Sequence, residues 1–192
     1  MLTSTKPNKC RHCKVRMPED KAKHVLHDEC FQPWLAKQLA KQAAAREKKD
    51  RAEFRERKEK QKRIPDLIAA AQKVFNAFIR ERDRQAGHPC ISSGRALDWS
   101  GNAVDAGHYR STGAAAHLRF NEDNCHAQSK HDNQYKAGNV VDYRINLIRR
   151  IGLARVEALE ADSTVRKWTR EELIAIKALY VGKLKELRKG HA

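Results

Sequence analysis

Apolar residues recur at helical spacing in three stretches of the chain. Leu67, Ala71, Val74, Phe75 and Phe78 form one stripe, which the 3.6-residue period places on a single face of a core-facing helix. Pro65 should break whatever helix precedes it, and Asp66 is the candidate N-cap. Val141, Ile145 and Ile148 share a face of a second helix that Gly152 ends, and Leu153 to Glu160 carries a short one after it. The last stripe is Leu173, Ile176, Tyr180, Leu184 and Leu187, opened by Thr169-x-x-Glu172, a capping box.

Between these stripes lie two stretches of different character. From Leu35 to Arg63 the large apolar residues are Leu35, Leu39 and Phe54, among twelve Lys or Arg and five Asp or Glu, without Gly or Pro. This predicts a solvated basic helix supported by pairs four apart: Glu47/Arg51, Glu53/Arg57, Glu56/Lys60 and Glu59/Arg63. Gly87-His88-Pro89 marks a boundary. From Cys90 to Asn133 the chain is loop-rich, with short runs able to pair as strands around Asp105 to Arg110, and helix resumes near Asn133. Trp99 and Phe120 are expected in the core. The expected class is α+β, mostly helical.

Charge narrows the function. The 192 residues carry a formal net charge of +16, and phosphate neutralisation by Lys and Arg is the main source of nucleic-acid affinity. Nowhere do ~18 apolar residues run consecutively, and MLTSTKPNKC lacks the apolar core of a secretory signal. A membrane partner is therefore not expected, and the expected compartment is the cytoplasm. An RNA-binding role suits the charge but has no motif behind it.

In a reducing compartment clustered cysteines point to metal before disulfides. Cys10-x-x-Cys13 followed by His27-x-x-Cys30 supplies two chelating pairs joined by a short basic loop, a set suited to tetrahedral Zn²⁺. His24 is an alternative to His27. Residues 1–34 are thus expected to form a zinc knuckle whose folding depends on the ion, because so few bulky side chains are present. Residues 35–64 form the basic helical linker.

The chemistry concentrates between Asp105 and Lys136. Asp105-Ala-Gly-His108-Tyr-Arg110, then Asn124, then Asn133-x-x-Lys136, has the spacing of a His-Asn-His (ββα-metal) nuclease. In such a site a neutral imidazole accepts a proton from water near pH 7, while the departing 3′-oxygen and the phosphate need a cation. His108 fits the base and Asn124 the residue that orients it. Asp105 and Asn133 are the expected ligands of a catalytic Mg²⁺ or Mn²⁺, with Lys136 or Arg110 neutralising phosphate. Position 107, where many such nucleases carry a metal-binding Asp, is Gly107; residues 105 and 107 face the same side of a strand, which lets Asp105 compensate. Arg119 and His126 are candidate DNA contacts. Residues 65–192 are the expected nuclease domain with its C-terminal helices.

Phe75-Asn-Ala-Phe-Ile-Arg-Glu-Arg-Asp83, Asp105-Ala-Gly-His-Tyr-Arg110, Phe120-Asn-Glu-Asp-Asn124, and Tyr143-Arg followed by Leu147-Ile-x-Arg-Ile-Gly152 resemble the NinG/Rap recombination proteins of lambdoid phages. The resemblance implies a structure-specific endonuclease acting on branched double-stranded DNA such as Holliday junctions and D-loops, in the cytoplasm of a bacterial host. Other phage or host recombination proteins are candidate partners, and symmetric cutting would suit a homodimer. The same resemblance implies four thiolates clamping a second zinc beneath the active site. Here Cys90 stands with Ser93, Ser129 and Asp132 at those positions, and hydroxyls are poor zinc ligands. Packing and hydrogen bonds are expected to replace the ion, and a branched-DNA-binding accessory protein without cutting activity is the competing expectation.

Overall fold

The computed structural model describes residues 8–22, 24–136 and 138–190. The chain divides into two compact units, 1–61 and 62–192.

In the first unit, a turn brings Lys9 opposite Arg16, with Cys10 N donating to Val15 O at 2.8 Å. Cys10, Met17 and Cys30 are buried together, with Leu26 against them. This apolar cluster is too small to hold a fold unaided. Helix α1, Asp28–Gln61, follows directly and buries only Cys30. It therefore starts before Leu35, inside the expected knuckle. Asp28 and Glu29 in its first turn favour that start by their charge. Its surface carries the expected four-apart pairs Glu47/Arg51 and Glu56/Lys60, whereas Glu53 meets Lys49.

The second unit opens with α2, Ile64–Gln85. Pro65 falls in its first turn, where no amide donor is needed, and the Asp66 carboxylate accepts from Arg63 N at 3.1 Å. Asp66 thus works from inside the helix rather than as its N-cap. The predicted stripe of α2 packs against that of α6, Arg170–Lys189: Leu67, Ala71, Phe75 and Phe78 meet Leu173 and Tyr180, with Val74, Ile176, Leu184 and Leu187 at the edge. Thr169 and Glu172 form the reciprocal cap of α6 as predicted.

Strands β1, Val104–His108, and β2, Cys125–Ser129, pair antiparallel, with Asp105 opposite Gln128, Gly107 opposite His126 and His108 opposite Cys125. Helix α3, Lys130–Tyr135, follows at once, capped by the Ser129 hydroxyl accepting from Asp132 N. Then come α4, Val140–Ile151, and α5, Leu153–Ala161. Tyr143 and Leu147 of α4 are buried with Ile91, Ala115, Leu118, Val156 and Leu159. Val141 and Ile145, expected inward, are 74% and 46% exposed. Gly152, at φ +86°, ends α4 where predicted.

The hairpin lies between the two apolar clusters. Ala106 and Cys125 join the α2/α6 cluster, while the Tyr143 hydroxyl of the other donates to Gly107 O at 3.0 Å. The outer edge of β2 is closed: Ile91 N donates to Ala127 O at 3.1 Å, and Ala127 N donates to the buried Asp83 carboxylate at 2.7 Å. Arg82 Nε at 2.7 Å and Arg150 at 3.5 Å balance the Asp83 charge. A strand edge so covered cannot recruit another strand. Trp99 is half-buried in a polar cleft beside Arg80, Arg84 and Arg188 and is absent from the core, unlike Phe120. Among the described residues no helix is long and apolar enough to cross a membrane.

Candidate active site and metal centres

Side-chain alternation gives the hairpin two chemically different faces. His108 and Cys125 turn toward α2, with Phe75 ring to His108 ring at 6.2 Å. Asp105 turns toward α3, where its Oδ2 accepts from Asn133 Nδ2 and Gln134 Nε2, each at 3.0 Å. The structure therefore brings Asp105 and Asn133 together. His108 is at the end of the same strand but in different company.

The geometry of His108 sets its protonation state. Its Nε2 lies 3.0 Å from Arg119 O. A carbonyl can only accept, so Nε2 carries the hydrogen and Nδ1 the lone pair. Burial lowers the pKa below 6.5; the Arg119 charge adds to that effect and the bond to Arg119 O opposes it. The Cys125 thiol is 3.7 Å from Nδ1, and burial pushes its own pKa up. The result is a neutral, half-buried imidazole held by the backbone, with its basic nitrogen defined.

Asn124 is fully buried and works through the backbone. Its Oδ1 accepts from Arg110 N at 2.8 Å, and its Nδ2 donates to Arg110 O at 3.0 Å and Leu118 O at 3.3 Å. It thus clamps the loop joining β1 to β2, the loop that carries Arg119 O. Any orienting effect on His108 passes through that loop, because the amide itself bonds to backbone groups.

Three expected phosphate contacts are occupied otherwise. Arg110 donates to Leu159 O at 2.7 Å and to Asp162 O, tying the loop to the end of α5. Arg119 is half-buried and donates to Gln72 Oε1 and Thr112 O. His126 is 3% exposed, with Nδ1 3.4 Å from the Tyr143 hydroxyl; burial, with nearby arginines, lowers its pKa well below 6.5. The expectation of a DNA contact at His126 is corrected accordingly: a neutral ring in the interior does not reach a phosphate. Lys136 is exposed just beyond α3, 3.5 Å from Asp132, and remains well placed for one.

Asp105 and its neighbours are the residues that could hold a hard divalent cation, although Asn133 and Gln134 present amide nitrogens to its carboxylate. They offer a carboxylate, the Asn133 amide, and one buried oxygen in need of a partner: Gln128 Oε1 makes no hydrogen bond. That oxygen lies over Gly107, 1.9 Å from where a Cβ would stand. Any side chain at 107 would collide with it, which accounts for glycine at a position where an acidic ligand was the expectation. The register sets Gln128 opposite Asp105.

Cys90, Ser93, Ser129 and Asp132 do converge. The buried Asp132 carboxylate accepts from Ser129 Oγ at 2.7 Å and Cys90 Sγ at 3.4 Å, and Ser129 N donates to Cys90 Sγ at 3.2 Å. Burial raises the Asp132 pKa, but hydrogen bonds from Ser129, Ser93 and Cys90 and the charge of Lys136 outweigh it, and the net shift is downward. A hydrogen-bonded anion thus joins the 90–93 loop to the start of α3, in the place expected of an ion.

In the first unit the ligand atoms of Cys10, Cys13, His27 and Cys30 all lie within 4.8 Å of one another. His27 Nδ1 is 3.3 Å from Cys13 Sγ and 3.8 Å from Cys30 Sγ, close to the ~3.5–3.8 Å edges of a tetrahedron with zinc–sulfur bonds of about 2.3 Å. The cluster can hold a zinc ion, with His27 rather than His24 as the nitrogen ligand. Burial opposes ionisation of Cys10, yet backbone hydrogen bonds from Cys13, His27 and His12 hold its thiol down at about 6. Burial and the adjacent sulfurs push Cys30 up to about 12.

Comparison with known proteins places this architecture. The model of the family described as Bacteriophage Lambda NinG protein matches residues 3–190. Protein ninG of Salmonella phage P22 is 53% identical over 123 residues, covering 63% of this chain and 57% of that protein. Protein ninG of Escherichia phage lambda is 52% identical over the same length, with 63% and 57% covered, and that of Escherichia phage 933W is 51% identical, with 63% and 58% covered. These matches thus span somewhat more than half the length of the curated relatives. No solved structure matches. With a family model matched over nearly its whole length, the chain belongs to the NinG family of bacteriophage proteins.

Proposed function

We propose that this chain is a metal-dependent endodeoxyribonuclease that hydrolyses phosphodiester bonds in branched recombination intermediates, Holliday junctions and D-loops among them. The observation that carries the proposal is His108: a neutral imidazole, fixed as the Nε2–H tautomer by Arg119 O, at the end of the first strand of a strand–strand–helix unit. A second strand and α3 then present Asn133 to Asp105.

In the proposed reaction His108 Nδ1 exchanges its 3.7 Å contact with the Cys125 thiol for a water, and takes a proton from that water as the water oxygen forms a bond to phosphorus. The bond from phosphorus to the 3′-oxygen breaks, and a 5′-phosphate remains on the other product. Asp105 and Asn133 would hold a Mg²⁺ or Mn²⁺ ion, which supplies positive charge to the phosphate and leaving oxygen. Lys136 adds charge from the exposed end of α3. Asn124 holds the loop, and through it the carbonyl that fixes the imidazole. The zinc cluster has a structural role in this scheme.

A second function is favoured by one observation: Asp105 faces Asn133 of α3, whereas His108 faces Phe75 of α2. It is a branched-DNA-binding accessory protein that does not cut. Incubation of four-way, D-loop and linear DNA with Mg²⁺ or Mn²⁺ separates the two. The nuclease predicts products from the branched substrates that are lost in His108→Ala. Unchanged binding with no metal-dependent product from the wild type would establish the accessory role instead.

A further inference from the structure

We infer that Gln128 is an oxygen ligand of the divalent-cation site, an inference that rests on the metal-dependent function proposed above. In the antiparallel register Gln128 is directly opposite Asp105, and such pairs have Cβ atoms about 4.5–5.5 Å apart on one face of the hairpin. Both side chains therefore belong to the face that meets α3.

The orientation of the Gln128 amide is fixed by its partners. Nε2 donates to Ser92 Oγ at 2.5 Å and to Gly138 O at 2.6 Å. Gly138 O can only accept, so the nitrogen must face it, and the usual ambiguity between amide oxygen and nitrogen is removed. Oε1 is then committed to the other direction, over the bare backbone of Gly107.

There it has no hydrogen-bond partner, although Gln128 is only 1% exposed. Buried carbonyl oxygens are nearly always paired, and an ion or a water is the usual reason when one is not. A cation suits this oxygen because Asp105, with its carboxylate, is the residue opposite Gln128 on the same face of the hairpin, and because Asn133, whose Nδ2 now donates to Asp105, would complete a third oxygen once its amide turns over. Hard divalent ions prefer such carboxylate and amide oxygens. The absence of a side chain at Gly107 is part of the same design: the oxygen reaches the site from the neighbouring strand instead of from residue 107.

The test is Mn²⁺ binding to the full-length, zinc-loaded protein, followed by calorimetry and by the loss of the free-ion electron paramagnetic signal, with no DNA present. Gln128→Leu keeps bulk over Gly107 and removes the oxygen; it is expected to weaken Mn²⁺ binding by about tenfold or more, the scale of effects seen when groups around a metal are removed, with the circular dichroism spectrum unchanged. Equal affinity in the folded variant overturns the role of Gln128 while leaving the nuclease proposal standing. No Mn²⁺ binding by the wild type overturns the metal-dependent function itself. If Gln128→Leu does not fold, Gly107→Asp combined with Gln128→Ala returns an oxygen to the same space, and is expected to bind Mn²⁺ at least as tightly as the wild type. Weaker binding by that folded variant also overturns the inference.

Discussion

His108 and His126 lie on paired strands, yet burial acts on them to different ends. At His108 the ring is mostly buried with one nitrogen fixed by Arg119 O, and burial lowers its pKa from 6.5, which favours the neutral form. Cleavage is predicted to hold its rate as pH falls from 7.5 to about 6.5, the ordinary histidine value. A rate already halved at that pH would count against His108 as the base. His126 is enclosed, and its folded pKa is well below 6.5. The unfolded chain therefore takes up the proton first as pH drops, so this contribution is intact above 6.5 and is lost as pH falls toward the folded value. Denaturant melts at pH 7.5 and 5.5 should show a smaller pH dependence in His126→Gln than in the wild type; equal dependence would contradict it. The spacing that singles out His108, Asn124 and Asn133 for the proposed site was legible in the sequence. The enclosure of His126 was not, because it depends on Tyr143, seventeen residues on.

The helices divide into those the sequence pattern placed and those tertiary contacts placed. The stripes of α2 and α6 were legible because each buries a continuous face against the other. The inward face of α4 was misread, since Tyr143 and Leu147 rather than Val141 and Ile145 fill the space beneath the hairpin. The start of α1 was also hidden, because it forms part of the Cys/His cluster rather than of an apolar stripe. At the joint between the 90–93 loop and α3, Asp132 takes over a structural task. Asp132→Ala is expected to destabilise the second unit by about 1–3 kcal/mol, the cost of leaving buried donors unpaired; a smaller loss than that would make the cluster incidental. In the first unit, chelation of zinc is expected to abolish protection of residues 8–30 in hydrogen exchange while residues 62–190 keep theirs. Bound zinc should amount to one ion per chain, and two would show that Cys90, Ser93, Ser129 and Asp132 also bind metal.

For the molecule as a whole, a net charge of +16 predicts DNA binding dominated by counterion release. With six or more phosphate contacts, affinity for a four-way junction should fall on the order of 10³-fold between about 50 and 200 mM salt. Charge of this kind holds DNA without deciding what is done to it. The hairpin and α3 carry the proposed chemistry, and the central claim is that His108 is its base. Single-turnover cleavage of a labelled four-way junction in Mg²⁺ tests this most directly, comparing wild type, His108→Ala, and His108→Ala with added imidazole. The base assignment predicts a loss of roughly 10²–10⁴-fold in the variant, with partial recovery in imidazole at unchanged junction affinity. Cleavage by His108→Ala at the wild-type rate would contradict it.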